Sequence, residues 1–460
     1  MEKADYVQLI TMPMLHSIHI KVNTDLFRRK IMKQNILTFL YVFLLNFCLI
    51  AGDAGFSSTT RAKTLSLNGM YFAGADGLQP ILGNPSGLAL LNSRGIEINI
   101  IDHIGQQKFE NLQNDFFQSF QEDNFSFGGG IFWTFSSSFT AAISLQRAID
   151  YKINWPYANL FSTDSTSSLL LFDFFNEISV DAASASFALN FDKLSVGTSV
   201  NFYYVEHNIS FPMSSERWNS QNLGAAGYQF NYSQDGYSFG FNLGASLQLN
   251  DQLRAGVMAK SGYKTDLEGT ASSAMFADLD SAASIVNLTS TFELPWVFGG
   301  GLIYEWTDGL TVNLDVQYNL WGSIQKTFEF TFDNSVWQQN LSSVDSLTGI
   351  NAASFNLSFD NSLDAGLGVE YKTSDLVLRT GYRFSQSPNT DATYNMLFPS
   401  VNQHWISFGA GYQDENILID AALAYAIGIS TKVSSAGVRN LSGSYGSSVI
   451  LPVITFRYLF

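Results

Sequence analysis

Hydrophobic and polar residues alternate one by one along most of the chain after about residue 94. In Leu310–Leu320, Leu, Val and Tyr occupy every second position, and Thr, Asn, Asp and Gln stand between them. Successive side chains of a β-strand point to opposite faces, so this pattern predicts a strand with one apolar and one polar face. The same pattern predicts fourteen strands, at residues 95–105, 125–135, 139–153, 177–191, 194–210, 236–249, 253–271, 290–307, 310–322, 358–372, 376–384, 403–412, 417–428 and 447–460.

The connections between these strands alternate between short and long. Turns rich in Ser, Asp, Asn and Gly follow the even-numbered strands, whereas long tracts such as Phe211–Asp235 and Ser323–Leu357 follow odd-numbered strands. A soluble β-sandwich has no reason to keep all its long loops at one end, but a membrane barrel has short periplasmic turns and long external loops. We therefore predict an all-β fold, a closed antiparallel barrel of fourteen strands in the outer membrane of a Gram-negative cell.

The first 53 residues do not follow the alternating pattern. Ile36–Ile50 is an apolar run that follows Lys33 and precedes the small residues Ala51–Ala54, which is the order of a secretory signal peptide. Met32 is the start that this arrangement favours. A single transmembrane anchor is the alternative, although the run is short for one. Cys48 is the only cysteine, and its removal with the signal peptide would leave a mature chain without disulfides.

Residues 54–93 form a third region, rich in glycine and weak in alternation. Such a region fits either a periplasmic tail or a plug folded inside the barrel, and a fourteen-strand barrel is wide enough to hold a plug. We divide the chain accordingly. Residues 1–53 are an upstream extension and signal peptide, residues 54–93 are the hatch or plug, and residues 94–460 are the barrel.

Composition and charge narrow the possible partners. Only 14% of the residues are charged, compared with about 25% in soluble proteins. The formal net charge of −16 makes nucleic acid a poor partner. The last residues Ile454, Phe456, Tyr458 and Phe460 alternate on one face and resemble the signal read by the barrel-assembly machinery. We expect that machinery as a partner, together with outer-membrane lipid and lipopolysaccharide.

Three segments, in order, resemble the FadL/TodX family of outer-membrane long-chain fatty acid and aromatic hydrocarbon transporters. Gly83–Ala89 (GNPSGLA) is similar to the family's NPAG hatch motif, with Ser86 in place of Ala. Leu294–Trp321 is similar to the family's L-P…G…Y strand, tight turn and D…W strand. Leu378–Tyr412 contains the family's R-x-G-Y, S-P, H-W and G-x-G-Y pieces at similar spacing.

The resemblance implies a fourteen-strand barrel closed by an N-terminal hatch that carries the motif Asn84, Pro85, Ser86 and Gly87. It also implies that a hydrophobic ligand is captured outside in an apolar groove and moves to an inner pocket. The ligand then leaves sideways through a gap near a kinked third strand. A sideways exit avoids returning the ligand to water, which costs roughly 0.8 kcal/mol per CH₂ group.

Cations on the polar faces of the strands are candidates for binding a ligand carboxylate by a charge-assisted hydrogen bond. The alternative for each cation is a structural ion pair with a lumen carboxylate such as Asp315 or Asp420. Four cations lie by parity on the lumen side of their strands: Arg254, Lys260, Arg379 and Arg383.

The third predicted strand, Phe139–Ile153, contains no Gly or Pro that would mark a kink, so these residues alone do not support a lateral gap. Arg147 falls in its otherwise apolar register, which places it either at the membrane interface or, through a bulge, in the lumen.

Two alternatives to a transporter stay open at this point. The first is a structural or secretion-system barrel that shares the fold. The second is a barrel enzyme, which would need a nucleophile–His pair at one rim. The sequence shows no metal-ligand spacing, nucleophile elbow or phosphate loop. We therefore expect no catalytic residue, no metal and no cofactor.

Overall fold

A computed structural model describes residues 61–112, 116–156, 173–214, 227–278, 283–342, 351–433 and 442–460. The signal peptide, Cys48 and residues 54–60 of the proposed hatch lie outside the described residues, so those assignments stay predictions. No helix in the described ranges is long and apolar enough to cross a membrane.

The sheet is antiparallel and closes on itself. β1 pairs with β20 from Gly95 opposite Leu459 to Asn111 opposite Gly443, so the first and last strands meet. The predicted closed barrel is confirmed. The described residues contain β1 (Arg94–Asn111), β2 (Phe116–Gln118), β3 (Glu122–Ser136), β4 (Phe139–Pro156), β5 (Asp173–Phe191), β6 (Leu194–Ser214), β7 (Gly227–Gln248), β8 (Leu253–Lys260), β9 (Tyr263–Ser272), β10 (Ile285–Leu294), β11 (Val297–Thr307), β12 (Leu310–Asn319), β13 (Thr327–Phe332), β14 (Ser354–Asn356), β15 (Ser362–Lys372), β16 (Leu376–Ser385), β17 (Gln403–Gln413), β18 (Ile417–Gly428), β19 (Thr431–Val433) and β20 (Gly443–Leu459).

The predicted count of fourteen wall crossings is also confirmed. The predicted strand 253–271 is built from β8 and β9, and the predicted strand 290–307 from β10 and β11. The second break falls at Pro295, whose nitrogen cannot donate to the neighbouring strand. The tight turns occur where the sequence predicts them, and Asp192 and Gly309 adopt positive φ angles of 62° and 87° there.

Two tracts predicted as loops contain regular structure. In the tract Phe211–Asp235, β6 continues to Ser214 and β7 begins at Gly227. The tract Ser323–Leu357 contains β13, β14 and a short helix. The loop assignment was therefore wrong for much of both tracts.

The strands extend beyond the membrane, and there the apolar residues face inward and the polar residues face outward. On the membrane part of β6, Val200 and Phe202 are exposed outward while Ser199 and Asn201 are buried inside. Further along, Glu206, Asn208 and Ser210 face outward, and Val205, Ile209 and Phe211 are buried inside. Lipid favours apolar residues on the outside of the lower part, and water favours polar residues outside the upper part.

Helices contribute little to the wall. The helices are α1 (Ala62–Ser66), α2 (Met275–Asp278) and α3 (Ser335–Leu341), and 3₁₀ turns cover Gln79–Ile81, Pro85–Leu90 and Trp321–Ser323. Residues 61–91, called the N-terminal segment below, contact the inner faces of β5, β6, β7, β17 and β18. Above this segment, inward aromatic side chains of the strands and side chains of the long connections form one apolar cluster. This cluster leaves only part of the lumen open.

Candidate functional site

The N-terminal segment lies directly on the barrel wall where the wall has glycine. A Cβ atom added at Gly244 would overlap Asn84, and one added at Gly256 would overlap the backbone of Phe72. Glycine is the residue that allows such a close approach of two backbones. The same kind of overlap would occur between the segment and six further wall glycines: Gly197, Gly299, Gly366, Gly368, Gly381 and Gly409.

The Asn-Pro-Ser-Gly motif forms a buried turn against β7. The Asn84 side chain accepts hydrogen bonds from the Ser86 amide (3.2 Å) and hydroxyl (2.8 Å), and donates to the Phe72 carbonyl at 2.5 Å. The Ser86 hydroxyl also lies 2.7 Å from the hydroxyl of Ser246 on β7. The motif therefore joins two parts of the segment to the wall. Its role as the hatch stays a prediction.

Buried ion pairs fix the other end of the segment. Arg61 contacts Glu97 of β1 at 2.8 Å, and Arg457 of β20 contacts both Glu97 (2.6 Å) and Asp76 (2.9 Å). Burial alone would raise the pKa of Asp76, but the adjacent Arg457 guanidinium outweighs it and holds that pKa below its usual range. The carboxylate therefore stays charged and binds segment to wall at neutral pH.

A cavity of about 170 Å³ lies above the segment. Its floor includes Gly69, Met70 and Phe72 of the segment, and its wall includes Met258 and Lys260 of β8. A second cavity of about 160 Å³ adjoins it towards the long connections, since both are lined by the same three residues, Gln317, Asn319 and Trp321.

Lys260 is the candidate cation that lines this cavity. Within the part of the chain that is described, its ammonium group forms no ion pair or hydrogen bond. A carboxylate entering the cavity would therefore meet a free positive charge.

The other three candidate cations have different surroundings. Arg379 is buried between Glu370 and Asp420, with both contacts at 2.5 Å. Arg254 donates to Gln248 at 2.7 Å, and Arg383 stacks over Trp405 at 4.7 Å. The geometry of Arg379 fits the structural ion pair that was the alternative. Arg254, Arg379 and Arg383 do not line the first cavity.

The wall is interrupted beside the first cavity. β3 and β4 pair only as far as Gly128 opposite Gln146, whereas β4 stays paired with β5 across a bulge at Ala148. Above the interruption, the Phe120 amide donates to the Asn154 carbonyl at 2.8 Å. Ala148 lines the cavity. The sequence-based expectation missed this irregularity, because a bulge requires neither Gly nor Pro.

Arg147 points outward and not into the lumen. It continues the outward row of the exposed Ile143 and Leu145, and it contacts Asp181 of β5 at 2.7 Å. The bulge therefore begins just after Arg147 and turns its neighbours Ala148 and Ile149 inward.

The chain was compared with known proteins. Residues 73–460 match the family described as outer membrane protein transport protein (OMPP1/FadL/TodX). A stretch of 194 residues, 42% of the chain, is 25% identical to outer membrane protein P1 of Haemophilus influenzae and spans 38% of that relative. A crystal structure of a Pseudomonas aeruginosa FadL homologue superposes with a TM-score of 0.71 at 15% identity, covering 88% of this chain and 99% of that one. The toluene transporter TodX of P. putida gives 0.65 at 16% identity with the same coverage.

The closed barrel and the family match together define an outer-membrane β-barrel protein. The chain belongs to the OMPP1/FadL/TodX family of outer membrane transport proteins, as its sequence motifs suggested. It is a Gram-negative outer-membrane protein, and its family and structural neighbours are transport proteins rather than enzymes.

Proposed function

We propose that this barrel passes hydrophobic small molecules, long-chain carboxylic acids among them, across the outer membrane by diffusion. The observation that carries the proposal is the cavity above the N-terminal segment, which adjoins both the free cation Lys260 and the wall bulge at Ala148. A ligand held there has a contact for its head group and a nearby break in the wall.

The size of the cavity supports small apolar ligands as well. An apolar cavity of about 150 Å³ is large enough to hold benzene, and this one measures about 170 Å³. A structural neighbour is a toluene transporter. Transport therefore fits better than a purely structural or secretion-system barrel, for which a fully packed lumen is expected.

We further propose that the N-terminal segment is the hatch and serves as a fixed floor. Its backbone lies on wall glycines, and buried ion pairs join it to β1 and β20. The ligand then leaves between β3 and β4, where hydrogen bonds need not be broken because the ladder is already interrupted. Outer-membrane lipid is the acceptor, and lipopolysaccharide is its neighbour on the outside.

Assembly is a separate part of the proposal. The terminal Phe460 lies against Trp133 with ring centroids 5.7 Å apart, and its amide donates to the Arg94 carbonyl. We propose that the strand ending at Phe460 is recognised by the barrel-assembly machinery before this closure forms.

Uptake of labelled oleate and of labelled toluene, in cells with and without the gene, tests transport. We expect loss of the gene to slow the uptake of at least one of the two ligands, and re-expression to restore it. Equal uptake of both with and without the gene would contradict transport of these ligands.

A further inference from the structure

Each of the two adjoining cavities contains one charged side chain without a partner of opposite charge. Lys260 lines the first cavity and Asp364 lines the second. Asp364 is 9% exposed, and among the described residues it forms no ion pair. The two charges are not paired with each other either. Buried charges are normally paired, so two lone charges in connected cavities point to a ligand that meets both.

The surroundings of Asp364 show which group it would accept. Its carboxylate accepts hydrogen bonds from Asn319 at 2.9 Å, from Gln317 at 3.4 Å and from the Ser385 hydroxyl. A carboxylate has about four acceptor positions, so room remains for one more donor. The amides of Gln317 and Asn319 are held beside it. A ligand hydroxyl fits this corner, because it can donate to the remaining acceptor position of Asp364.

The strand register gives the separation of the two backbone positions along the barrel wall. Lys260 lies opposite Val297, Val297 opposite Asn319, and Asn319 opposite Ser362, two residues before Asp364. Three strand spacings correspond to about 14 Å. An extended carbon chain of about eleven bonds spans a similar length, given a bond length near 1.5 Å.

We propose that the natural ligand is an amphipathic carboxylic acid that carries a hydroxyl group near the middle of its chain. The carboxylate lies at Lys260, the hydroxyl lies at Asp364, and the chain between them passes Trp321, which lines both cavities. This proposal rests on the proposed transport function and narrows its ligand class.

Three acids of the same length distinguish this proposal from binding of any fatty acid. Oleate has no hydroxyl, ricinoleate adds one at carbon 12, and 2-hydroxyoleate carries it beside the carboxylate. With the full-length barrel in lipid nanodiscs, we expect ricinoleate to bind about tenfold more tightly than oleate, equivalent to about 1.4 kcal/mol. We expect 2-hydroxyoleate to bind like oleate, because its hydroxyl cannot reach Asp364.

Two variants assign the preference to Asp364. We expect Asp364→Leu to bind ricinoleate and oleate equally, and Asp364→Asn to keep only a small preference. Equal affinities of the wild-type barrel for all three acids would overturn the proposal, as would a full preference in both variants. If Asp364→Leu does not fold, the ligand series and Asp364→Asn still decide. Equal uptake of every acid and of toluene in cells with and without the gene would instead refute the proposed function.

Discussion

The lumen-facing cations differ in whether a neighbouring carboxylate already neutralises their charge. Arg379 has two carboxylates at 2.5 Å, whereas Lys260 has no described partner. A buried pair that loses one member leaves an isolated charge, but a lone cation at a cavity can be removed without exposing a partner. We therefore expect substitution of Lys260 to change ligand recognition and substitution of Arg379 to change stability.

Lys260 is expected to act on ligand recognition and not on stability. Lys260→Gln should lower the uptake of oleate roughly tenfold, since a charge-assisted hydrogen bond contributes about 1.5–3 kcal/mol, and should leave toluene uptake unchanged. Uptake assays with both labelled ligands check this. Lys372→Gln, at an exposed position at the end of β15, is the control that should behave like wild type. An equal fall for oleate and toluene would mean that Lys260 does not recognise the carboxylate.

Arg379 is expected to act on stability. Arg379→Met leaves Asp420 buried without a cation, whereas Glu370 keeps Lys63 at 3.4 Å, and loss of one member of a buried pair costs about 3–5 kcal/mol. The temperature at which the barrel loses its heat-resistant mobility on a gel should fall. Arg147→Met is the matched control, because Asp181 is 47% exposed and such pairs contribute about 0–1 kcal/mol. Similar losses in both variants would contradict this distinction.

For a single residue, the sequence predicts which face of the strand its side chain occupies. It does not predict which side chain forms an ion pair with it. Strand parity alone places Arg379 and Lys260 on the lumen side, and the structure agrees. The partners of Arg379 depend on strand register. Glu370 lies directly opposite it, and Asp420 comes from the second strand along. Glu370 faces Arg379 across a tight hairpin, but Asp420 lies 41 residues away in the chain. The alternation of a strand does not show contacts across two strands, so the free cation could not be recognised in advance.

Among the elements, the N-terminal segment and the wall are shaped to each other. The wall glycines leave no room for side chains, and a leucine at Gly244 would overlap Asn84 and Pro85. Inward glycines at alternate positions, such as Gly366 and Gly368 in β15, were a sequence signal for this close contact. The signal is readable only after the facing element is known, because a glycine in a strand also marks bulges and bends.

Gly244→Leu tests the segment as the floor of the lumen. We expect the variant barrel to assemble with its normal heat-resistant mobility, while the displaced segment lets polar solutes through. Cells should become more sensitive to a large hydrophilic antibiotic, and purified barrels in a planar bilayer should show ion conductance. Gly300→Leu is the control, because an added Cβ there meets only one atom, at 3.9 Å. Unchanged permeability of Gly244→Leu would show that the segment does not seal the lumen there.

Over the whole molecule, two opposite polarity patterns are stacked along one barrel. The membrane part is apolar outside and polar inside, and the part beyond it is polar outside with an aromatic core inside. Alternation and turn chemistry were enough to predict closure and fourteen crossings. They could not predict the aromatic cluster that fills the outer half of the lumen. The packing of the long connections onto distant strands depends on contacts between residues far apart in the chain.

The packed outer part and the fixed segment below leave the wall as the path for ligand, and the ladder between β3 and β4 is interrupted beside the cavity. Ala148 lies at that interruption and lines the cavity. Ala148→Phe should therefore reduce the uptake of oleate and of toluene several-fold without changing the assembly of the barrel, because the larger side chain occupies the exit. Ala185→Phe on β5, in the outward row of Phe187 and Leu189, adds the same volume towards lipid and should leave uptake normal. A normal rate in Ala148→Phe, measured beside this control, would move the exit away from the β3–β4 interruption and require a path through the N-terminal segment.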